Sequence, residues 1–149
     1  VNTAEAIAIA KALAAHFEGF YSRPYLCPAG VPTIGFGATY YEDGTPVTLA
    51  DPPISRERAE RLLAFHILRR FMPATIKLCP NIDTPGRLGA LTDFAFNLGS
   101  GRLRSSTLRR KILAGDWEAV PAELRKWTRG GGRVLRGLVL RREAEIVHV

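Results

Sequence analysis

The chain has 149 residues, 46% of them hydrophobic, with 14 glycines, 10 prolines and two cysteines; this suits one compact domain over residues 1–149 and excludes long disorder, collagen-like repeats and a disulfide-framed miniprotein. Its net charge of +7 comes wholly from residues 102–149, where twelve Lys and Arg face five Asp and Glu, while residues 1–101 balance nine against nine. No stretch approaches the roughly 18 apolar residues of a membrane span, and the start at Val1 without methionine leaves an upstream signal or anchor open.

The first helix is expected from Thr3, as N-cap, through Ile7 to Phe17. From Gly19 to Pro53, glycine and proline punctuate short runs rich in Tyr, Thr, Phe and Val, with Asp43-Gly44 as a turn, which reads as a small irregular sheet. Ser55 then caps a helix over Arg56–Met72, whose apolar stripe is Ala59, Leu62, Leu63, Ile67, Leu68 and Phe71, and Pro73 limits or kinks it. Thr84-Pro85 reads as an N-cap with proline at the first helical position, and Gly99 stops the helix carrying Leu88, Leu91, Ala95 and Leu98. Helical pieces follow at Ser106–Ala114, at Asp116–Trp127 with an awkward Pro121, and at about Leu135–Val147, the last two separated by a Gly130–Gly132 loop. The expected class is α+β: a small N-terminal sheet lobe joined by a long helix to a helical lobe, with a cleft between them.

Glu18 lies where the first helix meets the sheet, beside Phe17, Phe20 and Tyr21. Partial desolvation there favours the protonated carboxyl and suits a general acid, although an ordinary exposed glutamate near a helix end fits the same position. Eight residues separate Glu18 from Cys27 and five separate Cys27 from Thr33, which leads into Thr33-Ile34-Gly35-Phe36-Gly37. Further on stand Phe94-Ala95-Phe96-Asn97-Leu98-Gly99, Ser106-Thr107-Leu108, Gly115-Asp116, Trp127, and Gly137-Leu138 followed by Arg141-Arg142 and Ala144-Glu145. Together these strings resemble the phage-type lysozymes, glycoside hydrolase family 24, over most of the chain.

That resemblance implies a lysozyme-like fold and an endolysin-type muramidase, which cleaves the β-1,4 bond between N-acetylmuramic acid and N-acetylglucosamine in peptidoglycan with inversion by water. It implies catalytic roles for Glu18 as acid and for Cys27 and Thr33 around the attacking water. It also implies substrate contacts at Thr39, Phe96 and Thr107, and support of Glu18 by Arg141 or Arg142. Much of the family has a carboxylate at the Cys27 position, and an unperturbed thiol is mostly protonated near neutral pH. A weakened module that only binds glycan or a protein partner is the alternative. The family often carries histidine after the second glycine, where this chain has Ala38. Synthesis in the bacterial host cytoplasm and action at the wall follow from the resemblance, with the export route open.

Gly35 and Gly37 either relieve a tight hairpin or let a bulky sugar approach the backbone; a dinucleotide loop is disfavoured because Tyr40 stands where a third glycine belongs. His16, His66 and His148 are isolated, so neither a metal nor another cofactor is expected. Cys27 and Cys79 are expected as free thiols unless the fold brings them together. The basic last third attracts polyanions, acidic wall polymer or anionic membrane among them, or serves only as a solvated surface. A DNA-binding helix-turn-helix over Leu88–Ala114 is disfavoured because its seven-residue connection, Gly99–Ser105, exceeds the usual turn. A monomer without nucleic acid is expected.

Overall fold

The computed structural model describes residues 1–149. Helix α1 spans Thr3–Glu18 and its N-cap is Asn2, not Thr3: the Asn2 Oδ1 accepts the Glu5 N–H at 3.1 Å, while Thr3 is already helical. Ala6, Ala10, Leu13 and Ala14 form its buried face. Gly19, at φ 76°, ends the helix by donating its N–H to the Ala15 carbonyl, so Glu18 is the last helical residue and sits at the corner into the sheet. Strands β1 (Tyr21–Leu26) and β2 (Pro32–Gly35) pair antiparallel with Tyr25 opposite Thr33. The register shifts between Tyr21 and Tyr25, where Pro24 has no N–H to give the ladder. The expected Asp43-Gly44 turn is present, with the Gly44 N–H on the Tyr41 carbonyl at 3.0 Å. Ile34, Ala38 and Val47 of this lobe pack on Leu62 as a small separate core.

Ser55 caps α2 (Arg56–His66) by accepting the Arg58 N–H at 3.1 Å. The helix does not stop at Pro73: it widens into a π turn over Ile67–Phe71 and continues as α3 (Met72–Leu78), with Pro73 in the first turn of α3. The wider turn also moves the apolar stripe. Buried positions run Ala59, Leu63, Ile67, Met72, Thr75, and the five-residue step from Ile67 to Met72 leaves Leu68 51% exposed instead of in the core.

Thr84 caps α4 (Pro85–Leu98) by accepting the Arg87 N–H at 3.1 Å, and Gly99 ends it. The seven-residue connection Gly99–Ser105 holds a short helix, α5 (Ser100–Arg104), before Ser106 caps α6 (Thr107–Leu113). Pro121 ceases to be awkward because the piece around it splits: a 3-10 turn at Trp117–Ala119 precedes α7 (Val120–Arg125), which places Pro121 in a first helical turn where no N–H is needed. The glycine run is the turn of a two-stranded hairpin, β3 (Arg129–Gly130) with β4 (Arg133–Val134), leading into α8 (Arg136–Ile146).

One core of 20 residues links α1, Phe36, α2 and the helices after Pro85. Within it α1 lies against α4 at Gly89, where a Cβ would come within 2.7 Å of the Ile9 side chain and 2.9 Å of the Ala6 carbonyl oxygen. Neither neighbour is a flexible tip, so the backbones must part. Gly89→Ala is therefore expected to destabilise by about 1–3 kcal/mol, read as a lower thermal unfolding midpoint; an unchanged midpoint contradicts this packing.

Candidate active site

Glu18 reaches the space between the lobes from the C-terminal end of α1. Arg141 of α8 holds it there. The Arg141 Nη1 donates to Glu18 Oε2 at 2.5 Å, while Nε and Nη2 clasp Asp93 of α4 at 3.0 and 2.7 Å. Asp93 is fully buried and the Arg141 side chain is only 4% exposed, so charge-assisted bonds here work without competing water. Burial disfavours the Arg141 charge, but Asp93 and then Glu18 more than restore it, raising the guanidinium above its ordinary value. The second carboxyl oxygen, Glu18 Oε1, faces Gly37: a Cβ on that residue would lie 3.1 Å from it.

The two glycines of β2 and its turn thus have different duties. Gly37, at φ 82°, leaves room for the Glu18 carboxyl. Gly35, at φ 66°, lets the strand approach α2, its Cβ position being 3.1 Å from the Ala59 Cβ.

A groove of about 180 Å³ runs from Glu18 past Gly37, Thr39 and Tyr40 on the sheet lobe to His66, Arg70 and Phe71 on the long helix, with Phe96 and Asn97 of α4 as the opposite wall. Glu18, Thr39 and Phe96 therefore share one cavity. The Phe96 and Phe71 rings meet edge to face at 5.0 Å. Beyond Glu18 the surface continues into a shallower hollow bounded by Phe17, Leu135, Gly137 and Arg141.

Cys27 and Thr33 lie beside each other on the β1–β2 hairpin, and neither lines that groove. Burial, then the charges of Tyr21, Glu18 and Cys27, raise the Tyr25 phenol above its ordinary value, so both sites act on one ring. The Cys27 thiol is lowered from its ordinary value, chiefly by hydrogen bonding to the Val31 backbone, with help from Ala29 and Thr33 and against the effect of burial. Thr33 is 3% exposed, and its Oγ1 donates to the Val31 carbonyl at 2.9 Å. Cys79 is buried at the end of α3, both thiols are free, and burial pushes the Cys79 thiol up to about 11.

Two expected contributors lie elsewhere. Thr107 lines neither hollow; it opens α6, where its Oγ1 accepts from Arg110 Nη2 at 2.9 Å. Arg142 turns away from Glu18, bonding Asn97 at 2.7 Å and Glu145 at 3.1 Å; burial lowers its guanidinium. Burial, reinforced by Asp93, pushes the Glu145 carboxyl well above its ordinary value. Only one of the two arginines reaches Glu18, because adjacent helical residues point about 100° apart. Asp93, Asn97, His66 and Arg70 carry no linear signal that marks them as site residues. Asp93 stands 48 residues from Arg141, and Arg141 stands 123 from Glu18.

Comparison with known proteins agrees with this geometry. The family profile described as phage lysozyme matches residues 15–145. An endolysin of Bacillus phage B103 is 38% identical over 134 residues, covering 87% of this chain and 48% of that protein, so the chain spans about half the length of that relative. A SAR-endolysin of Bacteriophage PS119 is 33% identical over 129 residues, covering 86% of this chain and 73% of the other. The solved structure of the endolysin from Escherichia coli O157:H7 phage FAHEc1 superposes with a TM-score of 0.81 at 26% identity, over 97% of this chain and 89% of its own. The matched profile takes in Glu18, both strands of the first hairpin, the long helix and the Arg141 clamp, and the chain belongs to the phage lysozyme family.

Proposed function

We propose that residues 1–149 act as one muramidase unit, hydrolysing the β-1,4 linkage between N-acetylmuramic acid and N-acetylglucosamine in peptidoglycan. One observation carries this reading: a carboxyl group in an interlobe groove, with Oε2 engaged by a donor-only guanidinium and Oε1 turned towards the cavity. The acid hydrogen then sits on Oε1, the oxygen that meets the glycosidic oxygen, because Oε2 is occupied by an N–H. Names given to the relatives, endolysin and SAR-endolysin, agree with a protein made in the host cytoplasm and acting on the cell wall.

Protonation of the leaving sugar by Glu18 develops oxocarbenium-like charge at the anomeric carbon. Water attacks from the opposite face and inverts the configuration. Cys27 and Thr33 hold that water, Cys27 as a thiolate standing in for a carboxylate. Hydrogen bonding to the Val31 and Ala29 backbone and to Thr33 lowers the Cys27 thiol, in the direction that this role requires. Thr39 and Phe96 contact the saccharide along the groove. Thr107 and Arg142 support helices instead.

Arg102, Arg104, Arg110, Arg129, Arg133 and Arg136 are exposed and have no acidic partner, unlike Arg125 and Lys126, which are paired with Glu143 and Glu123. This surplus draws the unit to the anionic wall, an attraction that salt screens over about 10 Å at 0.1 M. The deciding experiment is mass spectrometry of digested peptidoglycan. Muramic acid at the new reducing ends is expected, with a yield that falls as ionic strength rises. Glucosamine at the reducing ends, or peptide cleavage alone, rejects the muramidase assignment; a salt-independent yield rejects the electrostatic part.

A further inference from the structure

The groove is not chemically uniform. Its lining holds one acid, Glu18, and one arginine, Arg70. Arg70 forms no ion pair, whereas Arg58 of the same long helix engages Glu42 through both Nη atoms, at 2.7 and 2.6 Å. The other residue of the lining that could carry positive charge is His66, whose imidazole burial holds below its ordinary value, and its Nε2 meets the Tyr40 carbonyl at 2.9 Å. A carbonyl only accepts, so Nε2 carries the hydrogen, and the neutral ring leaves Arg70 as the permanent cation of the groove.

The backbone is built to put it there. Arg70 lies in the π turn over Ile67–Phe71, the same turn that expels Leu68 from the core and sets Arg70 and Phe71 on the groove side. Such turns have weaker hydrogen bonding than an α-helix and are frequent at functional sites. The guanidinium carbon stands 4.9 Å from the Phe71 ring centroid, which steadies the side chain while leaving N–H groups free. A guanidinium with unfilled donors matches a carboxylate in two parallel bonds. Backbones of N-acetylated sugars are neutral, so a carboxylate in this groove comes from the lactyl group of muramic acid or from the stem peptide attached to it.

We propose that Arg70 recognises a carboxylate on the bound glycan and so selects muramic-acid-containing strands over neutral β-1,4-linked N-acetylglucosamine polymers. This inference rests on the muramidase reading. Its test compares wild type, Arg70→Gln and Arg70→Lys on soluble glycan strands with stem peptides, on the same strands stripped by an amidase to expose the lactyl carboxylate, and on a neutral N-acetylglucosamine oligomer as competing ligand. Arg70→Gln is expected to raise KM on carboxylate-bearing strands roughly ten- to hundredfold with kcat held, consistent with losing a charged hydrogen bond. Arg70→Lys is expected to recover part of that loss, and inhibition by the neutral oligomer to be unchanged in all three proteins. A loss confined to peptide-bearing strands assigns the carboxylate to the stem peptide, and a loss on stripped strands assigns it to the lactyl group. Unchanged KM on both strands, or an equal weakening of the neutral oligomer, overturns the inference. A wild type inert on all strands overturns the muramidase reading and this inference with it. Because Arg70 is exposed and makes no ion pair, a matching unfolding midpoint is expected in every variant.

Discussion

Glu18→Gln is expected to lower the rate of peptidoglycan hydrolysis by about 10²–10⁴-fold, the usual share of a general acid, with little change in unfolding temperature. The amide keeps the shape of the carboxyl and still offers an oxygen to Arg141 Nη1, but has no proton to deliver. Glu18→Asp keeps the chemistry and withdraws the carboxyl by one methylene. Misplacement by about 1 Å costs on the order of 10²-fold, so this variant should fail almost as badly while binding glycan normally. Measured turnover within a few-fold of wild type for Glu18→Gln would remove Glu18 from the mechanism.

Arg141→Ala is expected to damage both stability and turnover. Removing one partner of a buried ion pair strands the other, at about 3–5 kcal/mol. Here the stranded group is Asp93, fully buried, bonded to Arg141 at 3.0 and 2.7 Å, and close to the Glu145 carboxyl. With roughly 2–4 °C per kcal/mol in a domain of this size, the unfolding midpoint should drop by roughly 6–20 °C. Arg141→Lys should rescue little, since a single ammonium does not reproduce a fork that spans two carboxylates. The informative partner is Asp93→Asn, which preserves shape and one acceptor. It should cost less in stability yet slow hydrolysis, because a loosened Arg141 no longer fixes Glu18. Wild-type thermal unfolding of Arg141→Ala would mean that the clamp contributes nothing to the fold.

These two sites also mark what the sequence reveals and what it withholds. Glu18, Thr39 and Phe96 are legible because their spacing lies in compact strings, and the caps at Ser55 and Thr84 because capping is decided within three residues. The π turn is not legible in this way. An α-helix and a π turn differ by one residue in hydrogen-bond reach, and packing of Ile67 and Met72 against the core selects the wider one at the expense of Leu68. The β3–β4 hairpin has two residues per strand, too few for any periodicity. In the Arg141-Arg142 pair, two identical side chains part because the helix turns between them. Asp93 reads as an ordinary polar residue of an apolar helix until Arg141 is brought beside it.

The clamp on Glu18 joins the final turn of α1 to a residue of α8, 123 positions later. A nascent chain releases Glu18 from the ribosome 123 residues before Arg141, and N-terminal parts of a chain organise first during synthesis. The tether on Glu18 therefore cannot form until α8 has been made. A chain that stops before α8 keeps the Glu18 carboxyl but leaves it without the guanidinium that positions it.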